Sequence, residues 1–146
     1  MKRLYLILAL GLGVLAGCSA FTGPVANPQV AAQFSKLTYP ANAKLGPDLD
    51  ILVVDHGSNL QLVNRTDHSY HNLYLWLNQQ WVGKVASIRI GTDNSFNLDN
   101  FINRFGEPYP FGSLLQPDKA MPVVLAELYD PTLNVRYRLV ARRTGL

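Results

Sequence analysis

From residue 49 onward, short apolar runs recur between polar turns. Residues 51–54 are β-branched or leucine, and 60–62 alternate between apolar and polar. Residues 123–129 and 133–140 flank an Asp-Pro-Thr turn and read as a hairpin. A period of two places alternate side chains on one face of a strand, so this pattern predicts β-strands rather than helices.

The run at 73–77 is apolar on both faces, because three leucines alternate with Tyr74 and Trp76. A strand of this composition is usually central and buried. The following Asn-Gln-Gln sequence predicts a turn into a second strand that begins at Trp81. We therefore expect a hairpin across 73–85.

One helical pattern interrupts the strands. Leu98, Phe101, Ile102 and Phe105 are spaced i, i+3, i+4, i+7, which is the spacing of one helical face. Gly106 follows as a helix-ending residue. The spacing predicts a short helix near 99–105.

About seven strands, one short helix and hairpin connections predict an all-β domain, an antiparallel two-sheet sandwich. The order of the strands resembles that of immunoglobulin-like and fibronectin-like domains, including those of bacterial envelope proteins, over residues 49–142. A small β-barrel is the alternative.

The amino-terminal segment has the features of an export signal. Lys2 and Arg3 precede an apolar run of 13 residues at 4–16. A membrane-spanning helix needs about 20 residues, so the run fits a signal-peptide core better than a stable span.

The end of that run, Leu15-Ala16-Gly17-Cys18, resembles the lipobox of bacterial lipoproteins. The resemblance implies cleavage of residues 1–17 and acylation (diacylglycerol and palmitate-type chains) of Cys18, the only cysteine. It places the protein in the cell envelope, and Ser19 at the next position favours the outer membrane, facing the periplasm or exposed at the surface. The alternative is a secretory signal followed by a chance cysteine.

Residues 18–48 are rich in proline, glycine and small residues. We interpret them as the lipidated cysteine and a tether, with a single β-domain at 49–146. Within the tether, Pro28 stands where a short helix over 28–34 would begin.

Composition narrows the possible functions. The chain is 48% hydrophobic and 16% charged, which excludes a disordered protein. Lys2 and Arg3 account for two of the 13 basic residues, so the remaining chain carries 11 basic and 10 acidic residues. This balance argues against a nucleic-acid partner. One cysteine excludes an intrachain disulfide.

Few residues point to catalysis or a cofactor. Asp67, His68 and His71 are a conceivable metal-binding set. Their segment is rich in turn residues, however, and a solvated turn is the simpler interpretation. The sequence has no Gly-x-Ser-x-Gly and no glycine-rich phosphate loop. We therefore expect neither an enzyme nor a cofactor.

The aromatic side chains are candidate binding residues. Tyr74, Trp76 and the hairpin residue Trp81 are candidates for one exposed patch, with Tyr70 nearby, that would stack on sugars or hold a protein. The favoured alternative is that these rings fill the core. Near the carboxyl terminus, Arg136 and Arg138 form a basic edge, either solvated or in contact with anionic lipid.

These features predict a membrane-anchored envelope lipoprotein with a non-catalytic binding or assembly role. Its partners would be the membrane, through the lipid anchor, and another envelope protein. The alternatives are a carbohydrate-binding or cell-wall-binding protein that uses surface aromatics, and a small metal-dependent hydrolase.

Overall fold

The computed structural model describes residues 27–112 and 120–142. Cys18 and the predicted signal peptide lie outside these ranges. The elements are α1 (Pro28–Phe34), β1 (Lys44–Leu45), β2 (Leu49–His56), β3 (Asn59–Asn64), β4 (Tyr70–Leu77), β5 (Trp81–Ile88), β6 (Asp93–Asn97), β7 (Ala126–Asp130) and β8 (Val135–Arg142). In the described ranges, no helix has both the length and the apolar character needed to span a bilayer.

The strands form one continuous sheet in the order β5-β4-β7-β8-β2-β3-β6, and β1 pairs with β8 beside this path. The first half of β8 pairs with β7 and the second half with β2. Most neighbours are antiparallel, but β1 and β2 are parallel to β8. The all-β prediction is confirmed. A single sheet curls into an almost closed barrel, which is the barrel alternative rather than two separate sheets.

The barrel interior contains the leucines that alternate in the sequence. Leu60 and Leu62 from β3 and the three leucines of β4 belong to the same buried cluster, together with Val85 of β5 and Leu128 of β7. Strands from both ends of the sheet thus share one core. The period-two prediction for these strands is confirmed.

A second apolar layer covers the outer face of β4 and β5. Phe34 of α1 packs with Trp76, Val82 and Ile102. The ring of Tyr39 meets that of Trp76 edge to face, with 5.5 Å between centroids. The predicted helix at 28–34 is confirmed. Residues 27–43, however, pack on the barrel instead of extending away from it, so the domain boundary predicted at residue 49 lies too far along the chain.

The helix predicted near 99–105 is wrong. Only a single 3-10 turn forms, at Leu98–Asn100, and Phe101 is already extended. Ile102 then exchanges two backbone hydrogen bonds of 3.0 Å with Val82 at the edge of β5. The absence of a side chain at Gly83 admits the Phe101 ring, since a Cβ there would lie 2.8 Å from it. This segment is extended rather than helical because Ile102 pairs with the edge of β5 and the Phe101 ring packs into the space above Gly83.

Candidate functional site

The two ends of the sheet, β5 and β6, face each other without pairing. A cleft of about 470 Å³ lies between them. We call this gap the seam cleft. Its lining residues are Ala86, Ser87, Arg89, Asn94, Ser95 and Phe96.

The outward edge of β5 is identified by its bonds to Ile102. Val82 uses both its N–H and its C=O toward Ile102, away from β4. Backbone groups of a strand alternate in direction, so Lys84, which pairs with Tyr74 in the same unbroken register, also directs its groups away from β4. Within residues 27–112 and 120–142, no loop or other strand bonds to the outward groups of Lys84. This part of β5 is an open edge beside the cleft.

The edge of β6 is open for the same reason. The N–H of Leu98 donates to the C=O of Ser58, at 2.9 Å, just beyond the paired part of β3 and β6. By alternation, Phe96 also bonds toward β3, whereas Ser95 and Asn97 direct their backbone groups away from it. Two open strand edges therefore border the same cleft.

Asn94 organises the loop that joins β5 to β6. Its buried amide nitrogen donates to the carbonyls of Leu62, Arg89 and Thr92, at 3.2, 3.3 and 2.9 Å. Its Oδ1 accepts from the N–H of Arg89 at 3.1 Å. Gly91 in this loop has φ +61°, a left-handed conformation that favours glycine. The loop is thus held by a side chain instead of by a hairpin ladder.

Ser87 adds an unsatisfied polar group to the cleft lining. Its hydroxyl oxygen is buried and has no hydrogen-bond partner in the described part of the chain. A hydroxyl can both donate and accept, and an unpaired buried polar group costs about 1–3 kcal/mol.

A separate polar cluster fixes the amino-terminal segment to the barrel. Glu127, which is 1% exposed, accepts hydrogen bonds from Tyr39 at 2.5 Å and from Arg136 at 3.1 Å. Arg136 also donates to the hydroxyl of Tyr39 and, at 3.2 Å, to the carbonyl of Ala41. Burial and the adjacent Glu127 carboxylate raise the pKa of Tyr39. This cluster is a structural clamp.

The clamp separates the two arginines of the predicted basic edge. The side chain of Arg136 is only 14% exposed, because it turns inward to Glu127. Arg138 pairs with Glu127 in the strand register and is exposed. Arg138 therefore remains on the surface, and Arg136 is a clamp residue.

The predicted aromatic patch does not form. Trp76 and Trp81 are 4% and 5% exposed and belong to different buried clusters on opposite faces of the sheet. Trp76 pairs with Val82, and residues paired across two strands lie on the same face of the sheet. Val82 directly follows Trp81, so the two indoles point to opposite sides. Tyr74 meets Phe34 edge to face, and Tyr70 packs against the inner core. These rings therefore pack in the two apolar layers, as the alternative interpretation predicts.

The histidine-rich loop forms no metal-binding cluster in the described ranges. Asp67 and His68 contact each other, both are exposed, and no group of three potential ligands converges there. His71 is exposed at the start of β4. The loop is shaped by Asn64, whose amide nitrogen donates to the carbonyl of His68 at 2.7 Å and whose Oδ1 accepts from the N–H of Thr66 at 3.0 Å.

Sequence reasoning did not identify the seam cleft. Its residues are the small and polar types that turns contain, and the sequence does not show that β5 and β6, which residues 89–92 connect, face each other without pairing. Comparison with protein-family models, curated proteins and solved structures found no match.

Proposed function

We propose that this chain is a bacterial envelope lipoprotein, anchored by acylation of Cys18, whose β-barrel binds another envelope protein. The anchor is supported by the Leu15-Ala16-Gly17-Cys18 sequence after a short apolar run. The resemblance to a lipobox implies two or more acyl chains, enough for stable membrane attachment.

The described fold begins close to this anchor. Nine residue steps separate Cys18 from Asn27, the residue that caps α1. Even fully extended, nine residues span only about 30 Å. The domain would be held near the bilayer, within reach of other envelope components and at a raised local concentration.

The observation that carries the binding role is the pair of open edges at the seam cleft. A partner segment in extended conformation would bond to the outward backbone groups of Ser95 on β6 or Lys84 on β5. Strand addition of this kind takes its affinity from main-chain hydrogen bonds and its specificity from side-chain contacts.

The cleft lining also supports binding over catalysis. The six lining residues include an arginine, an asparagine and two serines, but no carboxylate, imidazole or thiol. Acid–base chemistry relies on such groups. Arg89 gives the cleft a positive charge, which favours a partner segment that carries an acidic residue.

The proposal is tested by photo-crosslinking in intact envelopes. A benzophenone amino acid replaces Ala86, at the seam cleft, or Thr132, in the exposed turn between β7 and β8. Each is combined with Ser95→Pro, which removes an outward N–H without breaking a bond to β3, or with Ser95→Ala as the matched control.

We expect one discrete crosslinked protein from position 86 and none from position 132. That product should be lost with Ser95→Pro and kept with Ser95→Ala, while both variants retain the thermal midpoint of the parent. A product that survives Ser95→Pro, or equal products from both positions, would refute strand addition at the seam.

A further inference from the structure

The turn between Ile102 and Pro108 exposes an aromatic ring. Phe105 is 70% exposed, more than any other large apolar side chain in the described ranges. The guanidinium carbon of Arg104 lies 4.6 Å from the centroid of this ring. We call residues 104–105 the tip.

The tip is held outward by an ordered turn. The buried Asn103 accepts hydrogen bonds at its Oδ1 from the N–H groups of Phe105, at 2.9 Å, and Glu107, at 3.0 Å. Its amide nitrogen donates to the Glu107 carboxylate at 2.8 Å, and its own N–H donates to the Glu107 carbonyl at 2.9 Å. Gly106 adopts φ +79° to close the turn. The hydrogen-bonded backbone of this turn therefore keeps Phe105 exposed.

The tip lies beside the helix that leads to the anchor. A Cβ placed on Gly106 would lie 3.9 Å from the Cβ of Ala31, in the middle of α1. Three helical residues, about 5 Å, separate Ala31 from Pro28 at the start of α1. The chain from Cys18 thus enters the fold close to Phe105.

The charges around the tip suit an anionic surface. Helix α1 contains no acidic residue. Arg104 is exposed at the tip, and Lys36 is exposed just beyond α1. The Glu107 carboxylate, which accepts a hydrogen bond from the Asn103 amide, is the negative charge of this turn. Arg104 would therefore meet a lipid phosphate without a competing carboxylate on α1.

We infer that the tip is a second membrane contact, in which Phe105 enters the headgroup region and Arg104 binds the phosphate of an anionic phospholipid. Aromatic rings favour the membrane interface, and basic side chains favour anionic headgroups. The inference rests on the proposed acylation of Cys18, because the short link from the anchor brings the tip to the bilayer.

This contact would set the orientation of the barrel. Ile102 pairs with Val82 near the start of β5, whereas the seam cleft includes Arg89 just past its end. Seven residues of strand separate Val82 from Arg89, which corresponds to about 23 Å. With the tip in the bilayer, β5 would carry the seam cleft away from the membrane, where a partner can reach it.

The test places a tryptophan at the tip of the acylated full chain. Phe105→Trp is compared with Ile90→Trp, an exposed apolar position (49%) beyond the far end of β5. Each protein is reconstituted into phosphatidylethanolamine–phosphatidylglycerol vesicles with brominated acyl chains, which quench nearby indoles. Wild type supplies the background of the buried Trp76 and Trp81.

We expect the emission added by Phe105→Trp to be largely quenched and that added by Ile90→Trp to be unaffected. Adding Arg104→Ser to Phe105→Trp should reduce the quenching, and so should vesicles without the anionic lipid.

Unquenched Phe105→Trp emission, or equal quenching at both positions, in protein that carries acyl mass and floats with the vesicles would overturn the tip contact alone. Protein without acyl mass at Cys18 would refute the proposed function and this inference together.

Discussion

The role of residues 27–43 as a layer of the fold is tested by Phe34→Ala. Phe34 is 5% exposed and packs against the outer face through Trp76, Val82 and Ile102. Removal of a buried phenylalanine side chain costs about 3–5 kcal/mol, from lost burial and the cavity left behind. For a domain of this size, that corresponds to a fall of about 10–20 °C in the thermal midpoint. A free tether would contribute nothing.

The assay is thermal unfolding of the full chain followed by near-ultraviolet circular dichroism, which reports on the packing of Trp76. Gln33→Ala is the matched control, because Gln33 is exposed on the same helix and surface changes stay within about 0.5 kcal/mol. If Phe34→Ala lowers the midpoint no more than Gln33→Ala does, the packing of α1 on the barrel is not part of the stable fold.

Three further perturbations test the clamp, the space above Gly83 and the buried tyrosine. Arg136→Met leaves the Glu127 carboxylate buried without its cation, so urea unfolding should show a loss of about 3–5 kcal/mol; an unchanged midpoint would contradict the clamp. Gly83→Ala forces a Cβ to within 2.8 Å of the Phe101 ring and should cost about 1–3 kcal/mol, recovered in part by adding Phe101→Leu. Burial raises the pKa of Tyr109 well above its ordinary value. Because the fold favours its protonated form, the stability that Tyr109 contributes is fully present below pH 10 and is lost above it; equilibrium unfolding measured against pH should therefore show a less steep fall above pH 10 in Tyr109→Phe.

The barrel core was accessible to sequence reasoning because strand geometry acts locally. Leu73, Leu75 and Leu77 recur every second residue, and all three point into the interior. The turns at Asn78 and Asp130 follow from residues that favour tight turns. Neither inference needs knowledge of a distant partner.

Features that depend on distant partners were missed. The parallel pairing of β2 with β8 joins residues about 90 positions apart, and neither strand signals it locally. The spacing of Phe101 and Phe105 fits a helix, but the open edge at Val82 and the space above Gly83 favour an extended chain. At this segment, tertiary contacts outweigh the local preference for a helix.

The candidate site was missed for a related reason. Ser87 and Asn94 are ordinary strand and turn residues, and their importance arises from the meeting of β5 and β6. The predicted aromatic patch failed because a sheet covered on both faces buries rings on both: Trp76 under α1 and Trp81 against Tyr109 inside the barrel. Sequence alone did not show that residues 27–43 would supply that outer cover.

The most direct test of the account is the state of Cys18 in the cell envelope. Native protein and a Cys18→Ala variant are fractionated, and the intact mass and amino-terminal residue of each are determined. We predict that the native chain is in the membrane fraction, begins at Cys18 and carries added acyl mass, whereas the variant lacks that mass. Native protein recovered in soluble form with an unmodified Cys18 thiol would contradict the anchor, and with it the proposed role at the membrane.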